Sequence, residues 1–133
     1  MANYREKLGI LSEMITFARA DKAIAEPEFY FLLGVSRQLG ITRQDFDALL
    51  DEGVNTVMPK SQIDRIVQFH RLVLLMNVDQ QRHPEEVRKL KDIGLQMGLP
   101  PSAIDQVLTV MHQYPDKIVP PEVLMEIFRS HYN

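Results

Sequence analysis

Cysteine is absent from the 133 residues. That rules out a disulfide scaffold, a thiol nucleophile and a cysteine-based zinc site, and it fits a reducing compartment. A charge excess of one sign is lacking too. Fifteen Lys and Arg stand against eighteen Asp and Glu, a net charge of −3. No broadly basic surface can form, so nucleic acid is not expected as a partner. Long apolar runs are missing: the longest, Leu72 to Met76, is far short of the roughly 20 residues that cross a bilayer. The opening Met-Ala-Asn-Tyr-Arg-Glu-Lys lacks the basic-then-apolar order of a signal peptide. The expectation is a soluble, cytoplasmic chain with no transmembrane segment. Known catalytic signatures are also missing: no G-x-S-x-G, no G-x-x-x-x-G-K-[ST], no H-E-x-x-H and no G-x-G-x-x-G.

What is present is helical periodicity. Leu8, Leu11, Met14, Ile15 and Ala18 recur at three- and four-residue steps, the stripe of an amphipathic helix. Asp21 to Glu26 interrupts it, and Pro27 suits a first helical turn, where a missing N–H is harmless. Phe31, Leu32, Val35 and Leu39 follow, with Gly40 as C-cap. Thr42 suits an N-cap for a helix holding Phe46, Leu49 and Leu50, ended by Gly53 and Pro59. Ser61 caps a helix carrying Ile63, Ile66, Val67, Val73 and Met76. Pro84 opens one with Val87, Leu90, Ile93 and Met97, which Gly98 closes. Pro100 and Pro101 lead into Ile104, Val107, Leu108 and Met111. Residues 113–119 read as a linker, and Pro120 and Pro121 start a last helix with Val123, Leu124, Ile127 and Phe128. No run alternates as a strand does. The expectation is an all-α fold of about seven helices in one domain.

The order of these signals repeats. Shifted by 58 positions, Asp21 falls on Asp79, Glu28 on Glu86, Leu32 on Leu90, Gln38 on Gln96, Gly40 on Gly98 and Asp47 on Asp105. Apolar positions land on apolar positions, as with Leu11 and Phe69 or Val35 and Ile93. Two pseudo-symmetric three-helix halves result, approximately 5–54 and 63–112, plus a C-terminal helix at approximately 120–130. Pro27 and Pro84 are 57 apart, which predicts that Glu28 sits one place earlier in its helix than Glu86. Two copies are too few to stack a solenoid.

The recurring acids are the candidate site. Asp21 and Asp79 each follow a long apolar stripe, and Glu28 and Glu86 each lie in the first turn of the next helix. A corner of this kind can bring two carboxylates and loop carbonyls together, ligands suited to Ca²⁺ or Mg²⁺. Two carboxylates fall short of the six to eight oxygens that calcium takes, and D-x-[DN]-x-[DN]-G-x₅-E is absent. The competing reading is architectural: an Asp bonding its own turn and a Glu favoured by the helix dipole. His83, between Asp79 and Glu86, offers an imidazole for a transition metal, but His70, His112 and His131 are scattered. Asp45, Asp47, Asp51 and Glu52 form an acidic run, read as a solvated face or a surface for a basic partner. Phe29, Tyr30 and Phe31 are adjacent and cannot all face one core, which leaves one for the surface or an interface. A helix-turn-helix reading is disfavoured because both third helices lack basic character.

The corner residues carry a resemblance. Phe-Ala-Arg-Ala-Asp-Lys at 17–22 with Glu28 and Gln-Leu-Gly-Ile at 38–41 resembles the tellurite-resistance TerB-like family. Asn-Val-Asp-Gln at 77–80 with Glu86 and Gln-Met-Gly-Leu at 96–99 looks like the same motif. The likeness covers roughly residues 8 to 112. It implies an all-helical domain with two related halves, acidic corners that take a divalent cation in some members, and a binding or scaffold role in stress responses rather than catalysis. By position it implies metal contacts from Asp79, Glu86, Asp21 and Glu28. The family's glycine after each Asp is replaced by Lys22 and Gln80. Lys22 competes with a cation at Asp21, so the second corner is the better candidate. A protein partner, or a second copy as a homodimer, is the expected companion.

Overall fold

Polar caps and two left-handed glycines set where the helices begin and end. The computed structural model describes residues 3–19, 23–53, 58–78 and 84–131. Seven α-helices and no strand occur among the described residues: α1 Tyr4–Ala18, α2 Glu26–Gln38, α3 Arg43–Asp51, α4 Gln62–Asn77, α5 Pro84–Gln96, α6 Pro101–Val110 and α7 Pro121–Ser130. Asn3 accepts from the Glu6 N–H at 2.8 Å, Thr42 from Asp45 at 3.1 Å and Ser61 from Asp64 at 3.1 Å, satisfying amides that have no partner inside a helix. At the far ends of α2 and α5, Gly40 and Gly98 adopt φ of 76° and 77°. Ile41 N–H then returns to the Ser36 carbonyl at 2.9 Å and Leu99 N–H to the Gly94 carbonyl at 3.0 Å, the six-to-one bond of a Schellman end. The apolar residue after each glycine is buried.

The two halves match in register. The first residues of α1, α2 and α3 stand 58 positions before those of α4, α5 and α6, and α2 and α5 end in the same register. The expected offset between the two glutamates disappears. Helix α2 begins at Glu26, one residue ahead of Pro27, so Glu28 and Glu86 are both the third residue of their helix. Helices α1 and α4 pack together, α1 also meets α5, and α2 meets α4. The last two contacts exchange when the halves are swapped, whereas the packing of α1 on α3 is not matched between α4 and α6.

One apolar core fills the space between them. Leu11, Met14 and Phe17 of α1 and their counterparts Phe69, Leu72 and Leu75 of α4 are wholly buried. Helix α7 lies on α6 and sends Phe128 edge-on against Phe69, ring centroids 6.0 Å apart. Gly94 permits close packing, since a Cβ there would stand 2.6 Å from Ile104 Cδ1 and 3.2 Å from Phe69 Cε1. Arg65 donates to the carbonyls of Pro59 at 2.6 Å and Met97 at 3.2 Å, clamping the approach to α4 onto the end of α5.

Two expectations need correction. The segment read as a plain linker holds a 3₁₀ turn at Pro115–Lys117, and the end of α6 runs on into another at Met111–Gln113. The Pro115–Lys117 turn packs on α4, which gives the segment a surface to order against. Ile63 and Val67, assigned to an inward stripe, are exposed at 60% and 37%. The inward face of α4 runs through Ile66, Phe69, Leu72, Val73 and Met76, leaving those two on its outer flank. No helix of the described residues is long and apolar enough to cross a membrane.

Candidate functional site

The two glutamates head the inward stripes of their helices. Glu28 precedes Leu32 by four residues and Val35 by seven; Glu86 stands in the same relation to Leu90 and Ile93, and all four apolar side chains are buried. The 3.6-residue period therefore turns each carboxylate toward the core rather than toward water. Both glutamates are 0% exposed, unlike the solvated first-turn glutamates that the helix dipole alone would explain. Glu28 Oε1 accepts from the Ala25 N–H at 3.0 Å, holding the entry to α2, where the N-cap alanine has no side-chain oxygen of its own.

Asp21, Asp79, His83, Lys22 and Gln80 lie outside the described residues. Among the described residues, no group of three or more His, Asp or Glu gathers closely enough to hold a metal ion. A cation at either corner therefore needs oxygens from residues 20–22 or 79–83 as well as the buried glutamate. His70, His112 and His131 form no such group. His70 is half-buried, with Nε2 3.1 Å from the Val119 carbonyl. Burial lowers its pKa below 6.5; the Val119 carbonyl opposes that shift and the charge of Arg71 adds to it. The neutral ring with Nε2–H as donor suits this geometry.

The acidic run at α3 is partly balanced. Arg43 pairs with Asp47 at 2.9 Å, and the Tyr4 hydroxyl donates to Asp45, while Asp51 and Glu52 are exposed. Beside it, the aromatic triplet resolves as expected, with one member outward. Tyr30 is 62% exposed, and Phe29 and Phe31 are half-buried. Phe29 meets Tyr30 and Phe46 edge-on at 5.7 and 5.6 Å, and the Arg43 guanidinium lies 5.7 Å from the Phe29 centroid.

Sequence reasoning missed two arrangements because they join distant residues. Buried Gln68 donates through Nε2 to Glu13 at 2.9 Å and to the Ile10 carbonyl at 3.3 Å, and accepts through Oε1 from Arg71 Nη1 at 3.1 Å. Arg71 lines a cavity of about 510 Å³ between the outer flanks of α1 and α4. Its only advance signal was a glutamine inside an apolar stripe. At the other end, Ser102 Oγ lies 2.8 Å from His131 Nδ1, and His131 Nε2 lies 2.7 Å from Gln106. These contacts tie the end of α7 to α6.

Comparison with protein-family models, with curated proteins and with solved structures gives no match for this chain.

Proposed function

We propose that the chain is a non-enzymatic, TerB-like helical module that acts through protein contacts, with the face around Tyr30 and Arg43 as its contact surface. One observation carries this: a tyrosine 62% exposed, packed edge-on against Phe29, beside an arginine whose guanidinium lies 5.7 Å from the same ring. Tyr and Arg are the residue types that dominate binding energy when a partner covers them, and here both are held in place before contact. The acidic run on α3 extends the surface and favours a basic partner. A role in stress response follows from the family resemblance. The test is light scattering of the native chain, and affinity capture with the native chain and with Tyr30→Ala/Arg43→Ala. The native chain should self-associate or retain a partner, and the double variant should lose it by at least about tenfold, since hot-spot truncations cost about 2 kcal/mol or more. A strictly monomeric chain that captures nothing, or a double variant that captures as well as the native one, overturns the reading.

A second reading is divalent-cation binding, Ca²⁺ or Mg²⁺, at the corners of Asp79 and Glu86 and of Asp21 and Glu28. It is favoured by two wholly buried carboxylates in the same register of α2 and α5. Calorimetric titration with Ca²⁺, Mg²⁺, Mn²⁺ and Zn²⁺ decides it. Binding that Glu86→Gln abolishes supports it. No heat and no rise in melting temperature at millimolar metal sinks it.

A further inference from the structure

The cavity between α1 and α4 has the make-up of a small-molecule site. Ile10 from α1, Leu39 from the end of α2, Val67 from α4 and Met58 ahead of it give it apolar walls. Its volume of about 510 Å³ falls within the roughly 300–1,000 Å³ of pockets that bury a small ligand. Met58 and Val67 remain 44% and 37% exposed, apolar surface that a ligand would cover.

One polar group is placed among these walls with unusual care. Arg71 is drawn partly out of water, and burial pushes its guanidinium pKa below the ordinary value, opposed by the charge of Asp64. Gln68, itself 1% exposed, fixes Arg71 Nη1, and Glu13 and the Ile10 carbonyl in turn fix Gln68. Among the described residues Arg71 makes no salt bridge and no other hydrogen bond, which leaves Nε and Nη2 without a hydrogen-bond partner. A planar fork held at one corner and open at the other matches a carboxylate. The other charges of the lining, Lys7 and Lys60 against Glu6 and Asp64, cancel, so Arg71 leaves an excess of one cation.

We propose that this cavity binds a small organic monocarboxylate with an apolar body, its carboxylate on Arg71 and its body between Ile10, Leu39, Met58 and Val67. The site is separate from the acidic corners and from the Tyr30 face, so it stands or falls independently of them. The occupant is anionic because of the lone excess cation and apolar because the walls are.

The test uses the full chain and four probes: sodium decanoate, 1-decanol with the same body and no charge, decyltrimethylammonium with the opposite charge, and sodium acetate with the head alone. Titration is followed by methyl chemical shifts of Ile10, Val67 and Met58. Decanoate should saturate below about 1 mM and move those methyls, and the other three should bind at least about tenfold more weakly. Arg71→Met keeps the length and apolar stem but removes the charge, and should weaken decanoate at least about tenfold while leaving decanol unchanged. Val67→Glu sets a carboxylate four residues before Arg71 on the same helix, where it can pair with the guanidinium in place of the ligand, and should also abolish binding; melting curves confirm that both variants fold. Equal affinity for decanoate and decanol, native affinity in Arg71→Met, or no saturable shift of the three methyls overturns the proposal.

Discussion

Alanine at Gly94 should force α5 and α6 apart. The added Cβ would stand 2.6 Å from Ile104 Cδ1 and 3.2 Å from Phe69 Cε1, where carbon atoms prefer about 3.5–4.0 Å. Neither neighbour yields easily, because both are buried and the Phe69 ring is braced by Phe128. Overpacking of this sort costs about 1–3 kcal/mol, and the better helix propensity of alanine offsets about 0.5–1 kcal/mol of it. A net loss of about 1–2 kcal/mol follows, and at about 3–5 °C per kcal/mol for a chain of this size the melting temperature should fall several degrees. The cause can be isolated with a double-mutant cycle in urea. Ile104→Val alone should cost about 0.5–1.5 kcal/mol by deleting Cδ1. Combined with Gly94→Ala, it removes the nearest clash and leaves the Phe69 contact, so the double variant should lose clearly less than the sum of the two single losses. Losses that add to within about 0.5 kcal/mol would refute the steric argument.

Gly34, by contrast, lies on the exposed face of α2, and a Cβ added there would meet no atom within 4 Å, so Gly34→Ala should raise stability by about 0.5–1 kcal/mol in the same assay. Gly98→Ala forces a β-carbon into φ of 77° and should cost about 1–2 kcal/mol. Stability should fall as pH drops through the ordinary histidine range around 6.5. The unfolded His70 titrates near 6.5 and the folded one lower, so the unfolded chain binds more protons in that window, and the loss levels off once pH passes the folded value. His70→Gln should flatten the slope of unfolding free energy against pH; an unchanged slope would assign the dependence to other groups.

The fold was legible because its punctuation is local. Thr42, Ser61, Gly40 and Gly98 each act within one turn of chain, and every one caps where its chemistry says it should. The flanks of α4 were not legible. Ile63 and Val67 fit a helical stripe as well as Ile66 does, and only the packing of α1, α2 and α5 around α4 decides which flank is covered. The glutamates show the same division. Their recurrence was plain, but their burial came from sharing a stripe with Leu32 and Leu90, a spacing that outweighs first-turn electrostatics. The Gln68–Arg71 arrangement depends on α1 lying against α4, and no local pattern records that.

The polar chain on which Arg71 rests has a further consequence. Gln68 lies 58 residues beyond Ile10, and Arg71 holds the same place in the second half that Glu13 holds in the first. Matching positions thus carry glutamate and arginine, facing each other through the glutamine. Two identical subunits could not do this: a symmetric dimer of either half would set Glu13 against Glu13 or Arg71 against Arg71, like charges across the axis. Because both halves belong to one chain, each can take the charge that complements the other. The cavity beside them is accordingly handed: Arg71 lines it from α4, and the matching place on α1 holds an acid, a polarity that duplication alone would have cancelled.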